Sequence, residues 1–240
     1  MLAKTMALSL DNASLRVGDK WLIEPLSLTI NHGERVALIG ESGAGKSSLL
    51  SLLRQAHESQ VAWCPQAPAL VPMLSLYNNV YMGQLHQRPL WKNLVNLFKP
   101  AANDWQQVLK LATDLGLTQP DNHRLTQSAE RFSGGEQQRI GIARALFQKR
   151  PIFLGDEPVS AVDEKHAKQL LSQIALAHDT VVVALHDVEL ATQCCDRIIG
   201  LKQGKVVLDC PSTELSAQQL YSLYPSHQHR SDSPIFESVQ

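Results

Sequence analysis

Apolar and polar positions along the chain change period several times, and these changes outline its elements. Leu26, Leu28 and Ile30 alternate with Ser27 and Thr29, the period of a half-buried strand, and the N-terminal stretch as a whole reads as strands. Asn31-His32-Gly33-Glu34 is a turn. Val36-Ala37-Leu38-Ile39 is a continuous apolar run, as expected of a strand buried on both faces of a parallel sheet. Ile152-Phe153-Leu154 and Val181-Val182-Val183-Ala184-Leu185 repeat that pattern, and Ala167, Leu170, Leu171 and Ile174 mark a helix face between them. Trp105, Val108, Leu109 and Ala112 form an amphipathic stripe stopped by Gly116. Further helices are expected over about 47–54 and 134–148. Pro65, Pro68, Pro72, Pro89 and Pro100 break the intervening segment into loops and short helices. Ile198-Ile199 and Val206-Val207-Leu208, joined through Gln203-Gly204, read as a closing hairpin. The alternation predicts an α/β chain built on a parallel sheet, with a mostly helical insert near 67–146. From Ser226 the chain is polar and patternless, so 226–240 is expected to be a disordered tail.

Composition changes this picture little. The 240 residues are 44% apolar and 19% charged, with a formal net charge of −1, so bulk charge gives no polyanion-binding signature and no nucleic-acid partner is expected. No apolar run approaches the roughly 18–20 residues that span a bilayer, so membrane association is expected to come through a partner. Cys64, Cys194, Cys195 and Cys210 lack metal-ligand spacing and read as reduced thiols. His227 and His229 read as part of a solvated tail.

The chemistry is concentrated in a few segments. Gly40, Glu41, Ser42, Gly43, Ala44, Gly45, Lys46 and Ser47, followed by Ser48, spell the G-x-x-x-x-G-K-[ST] loop between a strand and a helix. Gly43 and Gly45 allow left-handed backbone and close approach to phosphate. The bare N–H groups and helix N-terminus hold its negative charge. Lys46 reaches the β- and γ-phosphates, and the Ser47 hydroxyl can ligate Mg²⁺. This pattern specifies nucleoside triphosphate binding but not the reaction.

The strand at 152–154 leads into Gly155-Asp156-Glu157-Pro158. Asp156 there can hold Mg²⁺, and Glu157 can polarise an attacking water as a general base. His186 ends the next strand, where side chains reach the ligand crevice of parallel sheets. Gln66 carries no signal by itself. Ser133-Gly134-Gly135-Glu136 has the form of a capping box. Yet two glycines in a first turn each cost up to roughly 1 kcal/mol relative to alanine. Bare N–H groups at a positive helix end, serving as a second phosphate surface, account for them better.

Taken in order, G-E-S-G-A-G-K-S, Gln66, F-S-G-G-E-Q-Q-R, F-L-G-D-E-P, Ser160-Ala161-Val162-Asp163 and His186 resemble the ATP-binding cassette of ABC transporters over nearly the whole chain. That resemblance implies a P-loop NTPase, RecA-like parallel-sheet core with an N-terminal antiparallel β-subdomain and an inserted α-helical signature subdomain. Residues 1–225 would be one domain, with 1–66 and 147–210 as core and 67–146 as the helical part. It implies ATP and Mg²⁺ as cofactors, Gln66 as a Mg²⁺ and coupling residue, His186 as a γ-phosphate contact, and Ser160 to Asp163 as a partner-contacting loop. It also implies a head-to-tail homodimer holding each ATP between one Lys46 loop and the other chain's Ser133 segment. The dimer would sit on integral-membrane permease subunits at the cytoplasmic face of the inner membrane, with an extracytoplasmic substrate-binding protein in the same system. Leu70-Val71-Pro72, 79–85 and Trp91 through Phe98 look like the insert of phosphonate-import ATPases. Exporter-type and lipoprotein-releasing cassettes, and soluble cassettes of DNA repair or translation, share the ATP site. Three departures stand out. The Lys46–Gln66 interval is short, so a β-hairpin usual there is expected to be reduced or lost. The adenine-stacking aromatic would fall near Val17, with Trp21 the nearest ring. The signature begins with Phe132 and has Glu136 where Gln is commoner.

Overall fold

The computed structural model describes residues 5–119 and 123–224; the expected tail, with His227 and His229, lies outside them. Two long strands, β1 (Met6–Val17) and β2 (Lys20–Asn31), pair antiparallel as a two-stranded sheet, with Val17 opposite Lys20 across the turn. The expected alternation holds along β2, where Ile23, Leu28 and Ile30 are buried and Ser27 and Thr29 exposed.

The main sheet contains β3 (Arg35–Ile39), β4 (Val61–Cys64), β5 (Ile152–Asp156), β6 (Thr180–Ala184), β7 (Arg197–Lys202) and β8 (Lys205–Pro211), in the order β4-β5-β6-β3-β7-β8. Strands β4 to β7 and β3 run parallel, and β8 closes the edge antiparallel to β7. The apolar runs fill its centre because every residue of β5 and β6 is buried. This is the α/β P-loop NTPase architecture with an antiparallel subdomain. Helix α1 (Lys46–Ala56) leaves β3 and returns to β4 through a single 3-10 turn, Glu58–Gln60. The 46–66 interval therefore contains no β-hairpin, as its length implied.

Between β4 and β5 the chain is helical: α2 (Leu76–Tyr81), α3 (Leu90–Phe98), α4 (Ala102–Asp114) and α5 (Gly134–Phe147). Helices α6 (Glu164–Ala177), α7 (Val188–Cys194) and α8 (Ala217–Leu223) complete the fold. Val108 and Ala112 point inward from α4 as the stripe predicted, and Trp105 packs its ring 5.1 Å from that of Tyr77. Buried Asp104 has a role that periodicity did not reveal: it accepts from both terminal nitrogens of Arg88, which also donates to Gln84. A buried carboxylate is tolerated because the planar guanidinium satisfies it at two points.

Phe147 ends α5 in full burial, within one cluster that joins the helical insert to the sheet, and its ring lies 6.2 Å from that of Tyr81. Phe147→Ala is expected to lower the unfolding free energy by about 3–5 kcal/mol, measured by urea denaturation; a loss under 1 kcal/mol would contradict its place in the core.

Candidate active site

The loop from Gly40 to Gly45 links β3 to α1. Gly45 precedes the helix at φ 112°, and a Cβ there would lie 2.9 Å from both the Leu22 carbonyl oxygen and an Ile23 methyl, so both backbone angle and packing require glycine. No side chain caps α1, so its first-turn N–H groups remain available to an anion. The loop is braced from two distant parts of the chain. Gly204 N–H donates to the Ala44 carbonyl at 2.9 Å, and Gly40 N–H donates to the Tyr224 hydroxyl at 2.8 Å. Lys46 is buried, and its ammonium donates to the Gly40 and Glu41 carbonyls at 2.7 and 3.2 Å. Burial pushes its pKa down, against the pull of Glu157 and Asp156. Ser42 and Ser47 are exposed, and Ser48 is half-buried in the first turn.

Asp156 ends β5. Burial raises its pKa, opposed by a hydrogen bond from Ser47. Its Oδ1 is buried with no hydrogen-bond partner. An orphaned carboxylate oxygen beside a hydroxyl is a donor set suited to a hard, oxygen-seeking cation. Among the described residues no group of three or more His, Cys, Asp or Glu could hold a metal. A cation here would therefore complete its shell with phosphate oxygens and water.

Glu157 follows in the left-handed region, at φ 52°, a conformation that costs of order 1–3 kcal/mol in a non-glycine residue. Four contacts hold it there. Glu157 N–H donates to the Ala184 carbonyl at 3.2 Å. Gln138 donates to the Glu157 carbonyl at 2.7 Å. The carboxylate is held between Gln66, which donates to Oε2 at 3.0 Å, and His186, whose Nε2 lies 2.5 Å from Oε1. Gln66, Glu157 and His186, far apart in sequence, thus meet at one carboxylate.

The Ser133 segment opens α5 with both bonds of the capping box: Ser133 N–H donates to Glu136 Oε2 at 2.9 Å, and Glu136 N–H donates to Ser133 Oγ at 3.4 Å. Arg124 donates to Glu136 Oε1 at 2.7 Å, and that bond is the main reason the Glu136 carboxyl drops to about 2. A carboxyl held below its ordinary 4.5 stabilises the fold above that pH, and the contribution is lost as pH falls toward 2. The two glycines differ. A Cβ on Gly135 would lie 2.9 Å from the Ala161 carbonyl oxygen, so glycine is needed for packing within the chain, whereas Gly134 faces open space.

Sequence reasoning missed three residues that assemble these parts. Gln138 is buried in α5; besides the Glu157 carbonyl it donates to Ser160 Oγ at 3.0 Å and accepts from Ala161 N–H at 2.9 Å. Arg144, two turns further along α5, donates to the carbonyls of Pro68 and Ala69, the latter at 3.1 Å, and so fixes the loop that carries Gln66. Tyr224 braces Gly40. An amide or guanidinium inside a helical stripe looks like any polar residue until its distant partners are known. Val17 is exposed at the tip of the β1–β2 hairpin. Trp21 is partly exposed beneath the Arg16 guanidinium, 5.3 Å away, one residue before Leu22 whose carbonyl abuts Gly45.

The phosphate loop on a parallel sheet defines a nucleoside triphosphatase, and the signature helix fastened to its acidic turn narrows the class. The ABC transporter family model matches residues 23–160, and the chain belongs to that family of ATP-hydrolysing cassettes. It is 37% identical over 257 residues to the phosphonates import ATP-binding protein PhnC of Pseudomonas putida, covering 95% of this chain and 93% of that protein. The Pseudomonas aeruginosa phosphonates import ATP-binding protein PhnC 1 is likewise 37% identical, covering 93% and 92%. A dimeric ATP-binding cassette in a post-hydrolysis state with ADP and phosphate superposes with a TM-score of 0.70 at 25% identity, covering 86% of this chain and 99% of that one.

Gln138→Leu preserves bulk but removes all three polar contacts to the acidic turn and the loop after it. We expect kcat for ATP hydrolysis to fall roughly 10²-fold with little change in KM, measured by steady-state phosphate release; an unchanged kcat would show that the turn holds itself.

Proposed function

We infer that the chain is the ATP-hydrolysing subunit of an importer for phosphonate or a related phosphorus compound. One observation carries the substrate class: 37% identity extends across 95% of the chain to a protein named for phosphonate import. The match spans the 70–98 insert as well as the ATP motifs.

In this reading Lys46 and the N–H groups of the Gly40–Ser48 segment bind the triphosphate. Asp156, Ser47 and Gln66 hold Mg²⁺, which neutralises charge on the β- and γ-phosphates when bound. Glu157 orients and deprotonates the attacking water, and His186 meets the γ-phosphate. The 2.5 Å contact between His186 and Glu157 supports this, because a group linked to the base can report the γ-phosphate to it. Open space at Gly134 supports a second nucleotide-facing surface at Ser133, Gly134, Gly135 and Glu136. That surface serves a partner copy in a head-to-tail homodimer. The dimer attaches to permease subunits at the cytoplasmic face of the cell membrane and works with an extracytoplasmic substrate-binding protein. Work is extracted because ATP binds the closed dimer more tightly than the open one; equal affinity would shift nothing. No helix among the described residues is long and apolar enough to cross a membrane.

The test is growth of a strain lacking this protein on methylphosphonate as sole phosphorus source. The wild-type gene should restore growth and Glu157→Gln should not, its purified ATPase activity falling roughly 10²- to 10⁴-fold. Unimpaired growth without the protein would overturn the substrate class; normal turnover by Glu157→Gln would overturn the general base.

A further inference from the structure

The capping box that opens α5 carries a charge. Glu136 is the one acidic residue in the first turn, and its Oε2 accepts from both the N–H and the hydroxyl of Ser133, at 2.9 and 3.0 Å. Glutamine closes such a box as well as glutamate does, so the cap itself does not require the charge. A carboxylate is favourable at a helix N-terminus because it meets the positive pole of the helix. The same carboxylate opposes an incoming phosphate, which is drawn to that pole and to the Ser133 hydroxyl. A segment that receives a triphosphate therefore needs this charge cancelled.

Arg124 is placed to cancel it. The 3-10 turn His123–Thr126 brings its guanidinium to Glu136 Oε1 at 2.7 Å, the carboxylate oxygen that Ser133 leaves unused. Two further contacts fix the guanidinium: it stacks 4.4 Å from the centroid of the buried Phe132 ring, and its Nε donates to Gln127 at 3.4 Å. The Arg124 and Glu136 side chains are only 35% and 19% exposed, so solvent screens the pair incompletely. No other cation pairs with Glu136 among the described residues. Phe132 and Glu136 are the two positions at which the signature departs from its commoner form, and Arg124 touches both. The ring seats the guanidinium and the carboxylate aims it.

We propose that Arg124 is a positioning residue of the composite nucleotide site, neutralising Glu136 so that the Ser133 hydroxyl is free to donate to a phosphate held by a partner copy. The proposal rests on the head-to-tail reading above. It goes beyond that reading in assigning a role to a residue outside the signature motif, and in treating Phe132, Glu136 and Arg124 as one unit.

The test uses the full chain in a Glu157→Gln background, where slow hydrolysis should let ATP-bound dimers accumulate, counted by light scattering. Arg124→Met keeps much of the hydrocarbon stem but loses the charge, and should raise the ATP concentration for half-maximal dimerisation about tenfold. Arg124→Lys, which keeps the charge, should raise it less than about threefold. Adding Glu136→Gln to Arg124→Met removes the stranded carboxylate and should recover about fivefold or more of the loss. A purely structural role for Arg124 would give no such recovery. ADP binding to the Lys46 loop should survive in every variant, which shows that they are folded. Arg124→Gln should behave as Arg124→Met does, and replaces it if Arg124→Met loses ADP binding. Unchanged dimerisation without the arginine, or no recovery on adding Glu136→Gln, overturns the proposal. If the Glu157→Gln parent forms no dimer with ATP, the head-to-tail reading fails and this proposal fails with it, so the parent alone tells the two failures apart.

Discussion

The geometry of the site depends on the side-chain amide of Gln138. It stands in the second turn of α5 and ties that helix to the Glu157 carbonyl, the Ser160 hydroxyl and the Ala161 N–H. Glu157 is held in a left-handed conformation that an isolated chain would leave, and Gln138 is one of the contacts that make leaving costly. The helix that begins with the capped Ser133 segment therefore also sets the aim of the carboxylate beside Gln66 and His186. Arg144 extends the same control to the loop bearing Gln66. One rigid helix thus carries the capped Ser133 segment and holds the Glu157 turn, and the two cannot move apart without breaking buried polar bonds.

That arrangement explains the two glycines of the signature by different physics. Gly135 allows α5 to approach the Ala161 carbonyl, and so serves the tie within the chain, whereas Gly134 has no neighbour and leaves backbone bare to the outside. In the proposed dimer each half of the fold would contribute half of a nucleotide site, the β3–α1 loop to its own triphosphate and the α5 terminus to that of the partner copy. Asp156, with an oxygen buried and unsatisfied, and Lys46, with its pKa pushed down by burial, are the costs of preforming the first half.

Much of this was legible in the residues. The phosphate loop, the acidic turn and the capping box are contiguous in sequence, so their chemistry follows from local spacing. The buried strands announced themselves as apolar runs, and the short Lys46–Gln66 interval correctly implied a missing hairpin. What pattern did not carry was long-range pairing. Gly40 meets Tyr224 across most of the chain, Arg88 meets Asp104 between two helices, and the sheet order β4-β5-β6-β3 is not the order of synthesis. Nor could periodicity reveal that α3 points Asn93 and Asn96 inward, to the Tyr81 and Tyr77 hydroxyls, because a stripe has no sign until the rest of the fold supplies the core.

The central claim is that each active site combines the Lys46 loop of one chain with the Ser133 segment of another. It is tested most directly by mixing two inactive variants, Lys46→Ala and Ser133→Arg, and measuring ATP hydrolysis after subunit exchange. In a head-to-tail pair one site inherits both defects and the other inherits neither, so the mixture should regain activity that neither variant has alone. A mixture no more active than its two components, with exchange verified by differently tagged chains, would contradict the account.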